Sequence, residues 1–270
     1  DKNNYHTFQP LMYQVASSGL EADSIVYPIR KVFSGKKNFH FRMATVAHID
    51  AEQQLVCTNI GNLHYDYLVM ATGAGNNFFG LKRIEKHAFP MKSLLEAIDL
   101  RSIILQNFER ALNIESIKER ESLMNFVIVG GGATGVELAG ALAELKKYVL
   151  PKDYPDLDIR KMQIHVMEAA DKVLANMSEN ASTKAAKFLK KMGVNVWLNT
   201  MVKDYDGRSI VTDKGTFAAH TLIWSAGVKG NILQGIDVSA IERNRININP
   251  YFQVEGEGEA DGKIFALGDV

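Results

Sequence analysis

The stretch FVIVGGGATGVELAGALAEL, residues 126–145, decides the fold of this 270-residue chain. Its first four letters are apolar and predict a buried strand, and its last ten have the spacing of a buried helix face. Between them, Gly130, Gly132 and Gly135 match the dinucleotide-binding fingerprint. The match alone is weak, but a strand directly before it and a helix directly after it make it specific.

Each glycine of the fingerprint has a physical role. Gly130 permits the tight turn, Gly132 lets a pyrophosphate approach the backbone, and Gly135 lets the helix pack on the strand. The positive N-terminus of the helix would bind the pyrophosphate. The alternative is a glycine-rich turn without a ligand. The candidate nucleotide-binding residues here are Gly130, Gly131, Gly132, Ala133, Thr134 and Gly135.

The second predicted strand, QIHVME, ends at Glu168. An acid at this position binds the ribose hydroxyls of a dinucleotide. The gap after Gly135 exceeds the usual spacing of about 20 residues, because the segment 148–161 lengthens the connection. Ala169 and Ala170 follow, without an Arg to receive a 2′-phosphate, so the sequence predicts NADH over NADPH. The alternative for Glu168 is an exposed acid at a strand end.

Glu137 is the candidate catalytic residue. The sequence places it in the first turn of the nucleotide-binding helix, close to the expected path of the nicotinamide half. There it would contact the nicotinamide carboxamide or assist proton movement beside it. The alternative is structural, because a carboxylate near a helix N-terminus is favourable in any case.

Strands alternate with helices through the second half of the chain, which predicts a parallel sheet with helices on both faces. A short helix over 11–18, ended by Gly19, and a long helix over 93–115 with a Ser93–Glu96 capping box are predicted upstream. The other predicted elements are paired strands at 39–50 and 53–60, a buried strand at 67–71, strands at 126–130, 163–168, 194–198 and 221–225, a polar hairpin at roughly 201–213, and helices at 133–148 and 178–191.

Composition excludes several classes of function. Lys plus Arg and Asp plus Glu are both 31, so the chain lacks the basic footprint of a nucleic-acid-binding protein. The single cysteine, Cys57, excludes an internal disulfide or an electron-shuttling pair, and no metal site is expected. Cys57 is predicted to pack in an apolar strand. No apolar run approaches the roughly 18 residues of a membrane span, and no signal peptide is apparent.

Five blocks of sequence together resemble the type II, non-proton-pumping NADH:quinone oxidoreductases. In chain order they are FQPLMYQVASSGL, YDYLVMATGA, FVIVGGGATGVELAGALAEL, IWSAGV and IFALGD. The first and third are specific within the larger two-dinucleotide-binding flavoprotein superfamily, whereas the ATG and GD turns are shared by all of it. Ala133 stands where many members carry Pro, a tolerable change because Pro only presets φ at a helix start.

The resemblance implies an α/β fold in which a Rossmann-like NADH-binding domain is inserted into a partial FAD-binding Rossmann-like domain. The implied limits are 1–92 for the first part of the FAD domain, 93–225 for the NADH domain and 226–270 for the second part. The family's first FAD glycine motif and its C-terminal quinone-contacting and membrane-anchoring segments have no counterpart in these 270 residues. The chain therefore looks like a fragment of a longer protein.

The same resemblance implies further site residues. Asp269 would bind the ribityl or phosphate part of FAD, Gln9 would lie near the flavin, and Ala226 and Gly227 would pass close to the nicotinamide. The residues implied for the FAD site are Thr72, Gly73, Gly268, Asp269 and Gln9.

The implied activity is hydride transfer from NADH to FAD and then reduction of a quinone. FAD and NADH are the implied cofactors, and a quinone, a membrane surface and a second copy of the chain are the implied partners. The expected location is peripheral, on the cytoplasmic face of a bacterial inner membrane rather than at a mitochondrial inner membrane. A ferredoxin or rubredoxin reductase, or a non-catalytic NADH-binding fragment, are the alternatives. Disulfide and sulfide:quinone reductases are disfavoured by the single cysteine.

Overall fold

The computed structural model describes residues 1–256 and 262–270. The helices, in chain order, are α1 (Met12–Ala16), α2 (Ile29–Val32), α3 (Lys82–His87), α4 (Leu94–Asn113), α5 (Ile117–Leu123), α6 (Ala133–Tyr148), α7 (Leu150–Asp153) and α8 (Glu179–Lys191). The strands are β1 (Tyr5–Thr7), β2 (Val26–Pro28), β3 (Val46–Asp50), β4 (Leu55–Thr58), β5 (Gly61–His64), β6 (Leu68–Met70), β7 (Ala74–Asn76), β8 (Phe89–Pro90), β9 (Asn125–Val129), β10 (Gln163–Met167), β11 (Asn195–Trp197), β12 (Val202–Tyr205), β13 (Ser209–Thr212), β14 (Gly215–Ala218), β15 (Thr221–Trp224), β16 (Val228–Gly230), β17 (Ile241–Glu242), β18 (Arg245–Ile246) and β19 (Ile264–Ala266).

The chain divides into two compact units. The first contains Asp1–His6, Tyr27–Asn76 and Val228–Val270, and the second contains Thr7–Val26 and Asn77–Gly227. The second unit includes α1, which packs against α4 and α6, and β8, which pairs with β15. It is therefore larger than the NADH domain expected over 93–225, and the three expected domain limits stay a prediction.

The second unit is built on a five-stranded sheet in the order β11-β10-β9-β15-β8. All its pairings are parallel; Phe126 in β9, for example, lies opposite Ile164 of β10 and Thr221 of β15. β9 is apolar because a central parallel strand is buried on both faces. The Rossmann-like α/β fold predicted from the fingerprint is confirmed.

The two faces of this sheet have different covers. The helical cover includes α4, whose Phe108 ring lies 5.9 Å from the ring of Phe126. The opposite face presents Val127 and Val129 to the antiparallel sheet β12-β13-β14, which contributes Val202, Tyr205 and Ile210 to the same buried cluster. The prediction of helices on both faces is wrong here. The polar hairpin predicted near 201–213 gains a third strand, and its buried apolar side chains form the second cover.

The start of α4 agrees with the sequence prediction, whereas the end of α1 differs from it. The capping box of α4 is confirmed: the Ser93 hydroxyl accepts from the Glu96 N–H at 3.3 Å, and the Glu96 carboxylate accepts from the Ser93 N–H at 2.8 Å. The residue that turns left-handed after α1 is Ser18, with φ 61°, not Gly19 as predicted. Glycine at 19 is therefore not required by a positive φ.

The described residues of the first unit include the antiparallel sheet β3-β4-β5 and the strand pairs β16-β7, β17-β18 and β19-β6. Of the strand predicted over 39–50, only β3 forms, and Cys57 on β4 is half-buried rather than fully packed. β6 and β19 pair in parallel, and their residues Met70, Ile264 and Ala266 join the core of this unit. The carboxyl ends of these two strands consequently lie at one edge.

Candidate nucleotide-binding site

The glycine turn after β9 is fixed by backbone contacts. Gly130 has φ 106°, and a Cβ atom there would lie 2.7 Å from the carbonyl carbon of Ser225. A Cβ atom at Gly135 would overlap the carbonyl oxygen of Gly130. No side chain fits at either position, because backbone atoms cannot move aside as a flexible side chain can.

Gly132 differs from these two glycines. It is the N-cap of α6, with φ −71° and ψ −177°, an extended conformation open to any residue. A Cβ atom there would meet nothing within 4 Å, and no side chain caps the helix. The first N–H groups of a helix have no acceptor within the helix. The open space and the uncapped positive end fit a pyrophosphate.

Glu168 follows β10 directly and lies beside the glycine turn. Its Oε2 accepts a hydrogen bond of 2.6 Å from the Gly131 N–H, and its Oε1 accepts one of 2.8 Å from the Ala170 N–H. A carboxylate has about four acceptor sites, so both oxygens can still accept bonds from hydroxyls. The structure thus positions Glu168 at the glycine turn, as a ribose-binding acid requires.

Ser225 belongs to this turn but was missed by the sequence prediction. Its hydroxyl donates to the carbonyl oxygen of Val129 at 2.9 Å and so ties the end of β15 to the end of β9. Ala226 and Gly227 come next in the chain. The available signal was a small polar residue ending a strand in IWSAGV, but the pairing of that strand with β9 was not predicted.

Glu137 is the fifth residue of α6 and lies beyond the first turn, contrary to the sequence prediction. It lines a groove of about 710 Å³ between α1, α6 and α8, together with Tyr13, Gln14 and Glu144. Partial burial in this groove raises the pKa of the Glu137 carboxyl. Distance from the helix end explains why burial outweighs the helix dipole, whose effect falls off within the first turn.

Four of the residues implied for FAD meet at one edge of the first unit. Thr72 and Gly73 follow β6, and Gly268 and Asp269 follow β19. The two segments are joined by a hydrogen bond of 2.9 Å from the Leu267 N–H to the Met70 oxygen. Both glycines have a positive φ, 64° and 82°, and open space around them.

Asp269 and Gln9 have different surroundings. The Asp269 carboxylate lies 3.8 Å from the Arg245 guanidinium. Gln9 is exposed in the 3-10 turn Gln9–Leu11, which belongs to the second unit. Its predicted position near a flavin stays a prediction. Within residues 1–256 and 262–270, no group of three or more His, Cys, Asp and Glu side chains is arranged to hold a metal ion.

Comparison with known families matches the whole chain. The sequence profile of pyridine nucleotide-disulphide oxidoreductases covers residues 1–270. The chain belongs to this family. The glycine turn and Glu168 are the candidate nucleotide-binding features of the second unit.

Individual proteins within this family also resemble the chain. The chain is 33% identical to the type II NADH:quinone oxidoreductase Ndh of Mycobacterium tuberculosis, covering 100% of this chain and 60% of that protein. It is 30% identical to the type II NADH:quinone oxidoreductase of Haemophilus influenzae, covering 100% of this chain and 65% of that protein. The solved structure of Plasmodium falciparum NDH2 in complex with NADH has the same fold, with a TM-score of 0.90 at 23% identity, covering 99% of this chain and 58% of that one. The chain thus spans about 60% of the length of these proteins.

The two glycines of α6, Gly135 and Gly140, differ in the space available to an added methyl group. Gly135→Ala should lower the free energy of unfolding by about 1–3 kcal/mol, because the new Cβ overlaps the Gly130 carbonyl. Gly140→Ala, in the same helix but with open space around it, should raise it by about 0.5–1 kcal/mol through helix propensity. Urea denaturation of both variants checks the pair. Equal effects would contradict the packing described for α6.

The raised pKa of Glu137 gives a pH dependence of defined sign. The folded state holds this proton more tightly than the unfolded state, so folding stability is lost as pH rises past the ordinary carboxyl pKa. The Glu137→Gln variant lacks this loss. Its stability relative to the wild type should therefore increase between pH 4.5 and 7.5, as measured by urea unfolding at each pH. A difference that stays constant over this range would show that the groove does not perturb the carboxyl.

Proposed function

We propose that this chain is the nucleotide-binding part of an FAD-dependent NADH:quinone oxidoreductase. The observation that carries the nucleotide assignment is the Glu168 carboxylate held at the N–H of Gly131, beside an uncapped helix N-terminus. The quinone assignment is supported by the names of the two bacterial relatives, each at least 30% identical over the whole chain.

In this proposal the second unit binds NADH. The N–H groups that begin α6 bind the pyrophosphate, since Gly132 provides the space and no side chain competes. Glu168 accepts hydrogen bonds from the adenosine ribose, and its charge disfavours a 2′-phosphate. Ser225 holds the following Ala226 and Gly227 beside the glycine turn, where the nicotinamide half would pass.

FAD is assigned to the edge formed by Thr72, Gly73, Gly268 and Asp269. The Asp269 carboxylate suits a ribityl hydroxyl better than a phosphate, because like charges repel. The neighbouring Arg245 supplies the positive charge that a phosphate would need nearby. The assignment of Asp269 to ribityl rather than to phosphate follows from its own negative charge.

When bound, the two cofactors would supply the redox chemistry: transfer of a hydride from NADH to FAD with uptake of one proton from solvent, and then transfer of two electrons and two protons to a quinone. The chain itself binds the two cofactors, orients them and sets the electrostatic environment around them. Glu137 is assigned a role beside the nicotinamide, either as a contact to its carboxamide or in proton movement. Its raised pKa brings the carboxyl closer to the working range of a proton-transfer group.

Quinones with apolar tails reside in membranes, so we place the longer protein at a membrane surface, on the cytoplasmic face of a bacterial inner membrane. None of the helices in the described ranges has the length and apolar character to cross a membrane. Association into a homodimer stays a prediction. A non-catalytic NADH-binding module is the second candidate, favoured by the completeness of the nucleotide features within the second unit alone.

Nucleotide binding tests the first half of the proposal. The chain should bind NADH more tightly than NADPH, and Glu168→Gln should reduce this preference because the charge that repels a 2′-phosphate is lost. Gly132→Ala should weaken NADH binding at least tenfold yet leave the melting temperature unchanged, since its Cβ meets only the ligand space. Fluorescence titration and thermal melts measure both. Unchanged NADH affinity in Gly132→Ala would show that the pyrophosphate does not bind at this helix end.

Redox activity tests the second half. In the full-length protein, anaerobic NADH should bleach a flavin absorption band, and a soluble short-chain quinone should restore it. Glu137→Gln should slow the turnover or weaken NADH binding. A protein that binds NADH but carries no flavin would instead be the non-catalytic module. Bleaching without quinone-dependent recovery would point to another acceptor, such as a ferredoxin or rubredoxin.

A further inference from the structure

Phe79 lies in a tight turn that leads into α3. The Phe79 N–H donates to the Asn77 side-chain oxygen at 2.9 Å. Asn77 is itself anchored twice: its N–H donates to the Gly227 oxygen at 3.0 Å, and its carbonyl accepts from the Trp224 indole at 2.8 Å. The turn is therefore fixed to the segment that follows β15, next to the glycine turn.

The backbone of Phe79 is strained. Its φ is 51°, in the left-handed region that is rare for a bulky side chain. Glycine adopts this conformation without cost, as the next residue, Gly80, does at φ 78°. A large residue held in this region commonly marks a functional position, because the strain needs a compensating benefit.

Core packing supplies little of that benefit. The neighbouring Phe78 stacks on the buried Trp224, with ring centroids 5.6 Å apart, and packs against the same buried cluster. The Phe79 ring meets Trp224 only edge-on at 6.4 Å, and 62% of the residue is exposed. An exposed aromatic on a strained backbone gains little from the fold of this unit.

The Phe79 ring rests against Gly227. A Cβ atom at Gly227 would lie 2.5 Å from the Phe79 Cζ, so the absence of a side chain there is what admits the ring. Gly227 follows β15, whereas Glu168 follows β10, and β9 with its glycine turn lies between these strands. A dinucleotide whose ribose binds Glu168 and whose pyrophosphate lies over the glycine turn continues toward the β15 side. That side is the nicotinamide end.

We propose that the Phe79 ring contacts the nicotinamide ring of NADH and orients it. The inference rests on the proposed function, because it requires NADH at the glycine turn. Two flat rings attract each other through dispersion and the burial of apolar surface. The left-handed backbone directs an aromatic ring over Gly227 at a position where glycine would fold with less strain.

The test compares NADH with ADP-ribose, which retains every part of the ligand except nicotinamide. Phe79→Ala should weaken NADH binding about three- to tenfold, as expected for the loss of one aromatic stacking partner. ADP-ribose affinity should stay within about twofold of the wild type, since the glycine turn and Glu168 are untouched. Phe79→Tyr keeps the ring and should bind NADH normally. Leu95→Ala, at an apolar residue of the same unit that is 63% exposed, is the matched control and should bind both ligands normally.

A melting experiment separates binding from folding. Phe79→Gly should melt at a higher temperature than Phe79→Ala, because glycine relieves the positive φ, yet it should lose the same NADH affinity. The glycine variant also replaces the alanine variant if the latter fails to fold. Equal losses of NADH and ADP-ribose affinity would show a structural role for the turn, and unchanged NADH affinity would remove Phe79 from the site; both overturn the inference alone. A wild-type chain that binds ADP-ribose but not NADH, or neither ligand, would overturn the proposed function with it.

Discussion

The candidate nucleotide site depends on one close contact: the backbone of α6 passes over the carbonyl oxygen of Gly130 at Gly135, where a side chain cannot fit. This contact sets the angle at which the helix leaves β9 and holds its N-terminus over the end of the sheet. Uncapped N–H groups at that end carry about half a positive charge. Close packing at Gly135 therefore positions an uncapped, positive helix end that suits an anion without any charged side chain.

The strands on either side of β9 complete the site from opposite directions. On the β10 side, Glu168 accepts the Gly131 N–H, so the negative charge is fixed next to the positive helix end rather than left in solvent. On the β15 side, the Ser225 hydroxyl binds the Val129 carbonyl and keeps that edge of the turn closed. The parallel order β10-β9-β15 gives the candidate site a polarity, with the Glu168 carboxylate at one end and small residues at the other.

Local sequence predicted the parts of this arrangement that depend on neighbours along the chain. The fingerprint gave β9 and α6 together, and Ser93 with Glu96 gave the start of α4, because strand, turn and capping signals act over a few residues. Partners distant in sequence were not predicted. The cover formed by β12–β14 and the bond from Ser225 to β9 arise from pairings of segments that no local pattern specifies. The predicted helix 133–148 has the bounds of α6, but Glu137 is its fifth residue, so it lies just beyond the first turn and lines a groove.

Glycine and phenylalanine have reversed roles at two neighbouring points of the site. At Gly227 the backbone conformation would accept a side chain, because its φ lies outside the left-handed region, and only the Phe79 ring excludes one. At Phe79 the backbone favours glycine, with φ 51°, yet a large ring is present. Selection for stability alone would favour glycine at 79 and a larger residue at 227. The missing side chain at 227 leaves room for the large side chain at 79. The exposed Phe79 ring therefore lies where the dinucleotide would end. The strained backbone at Phe79 and the missing side chain at Gly227 are thus two parts of one arrangement. Together they hold an aromatic ring in a position that suits a bound ligand rather than the packing of the unit.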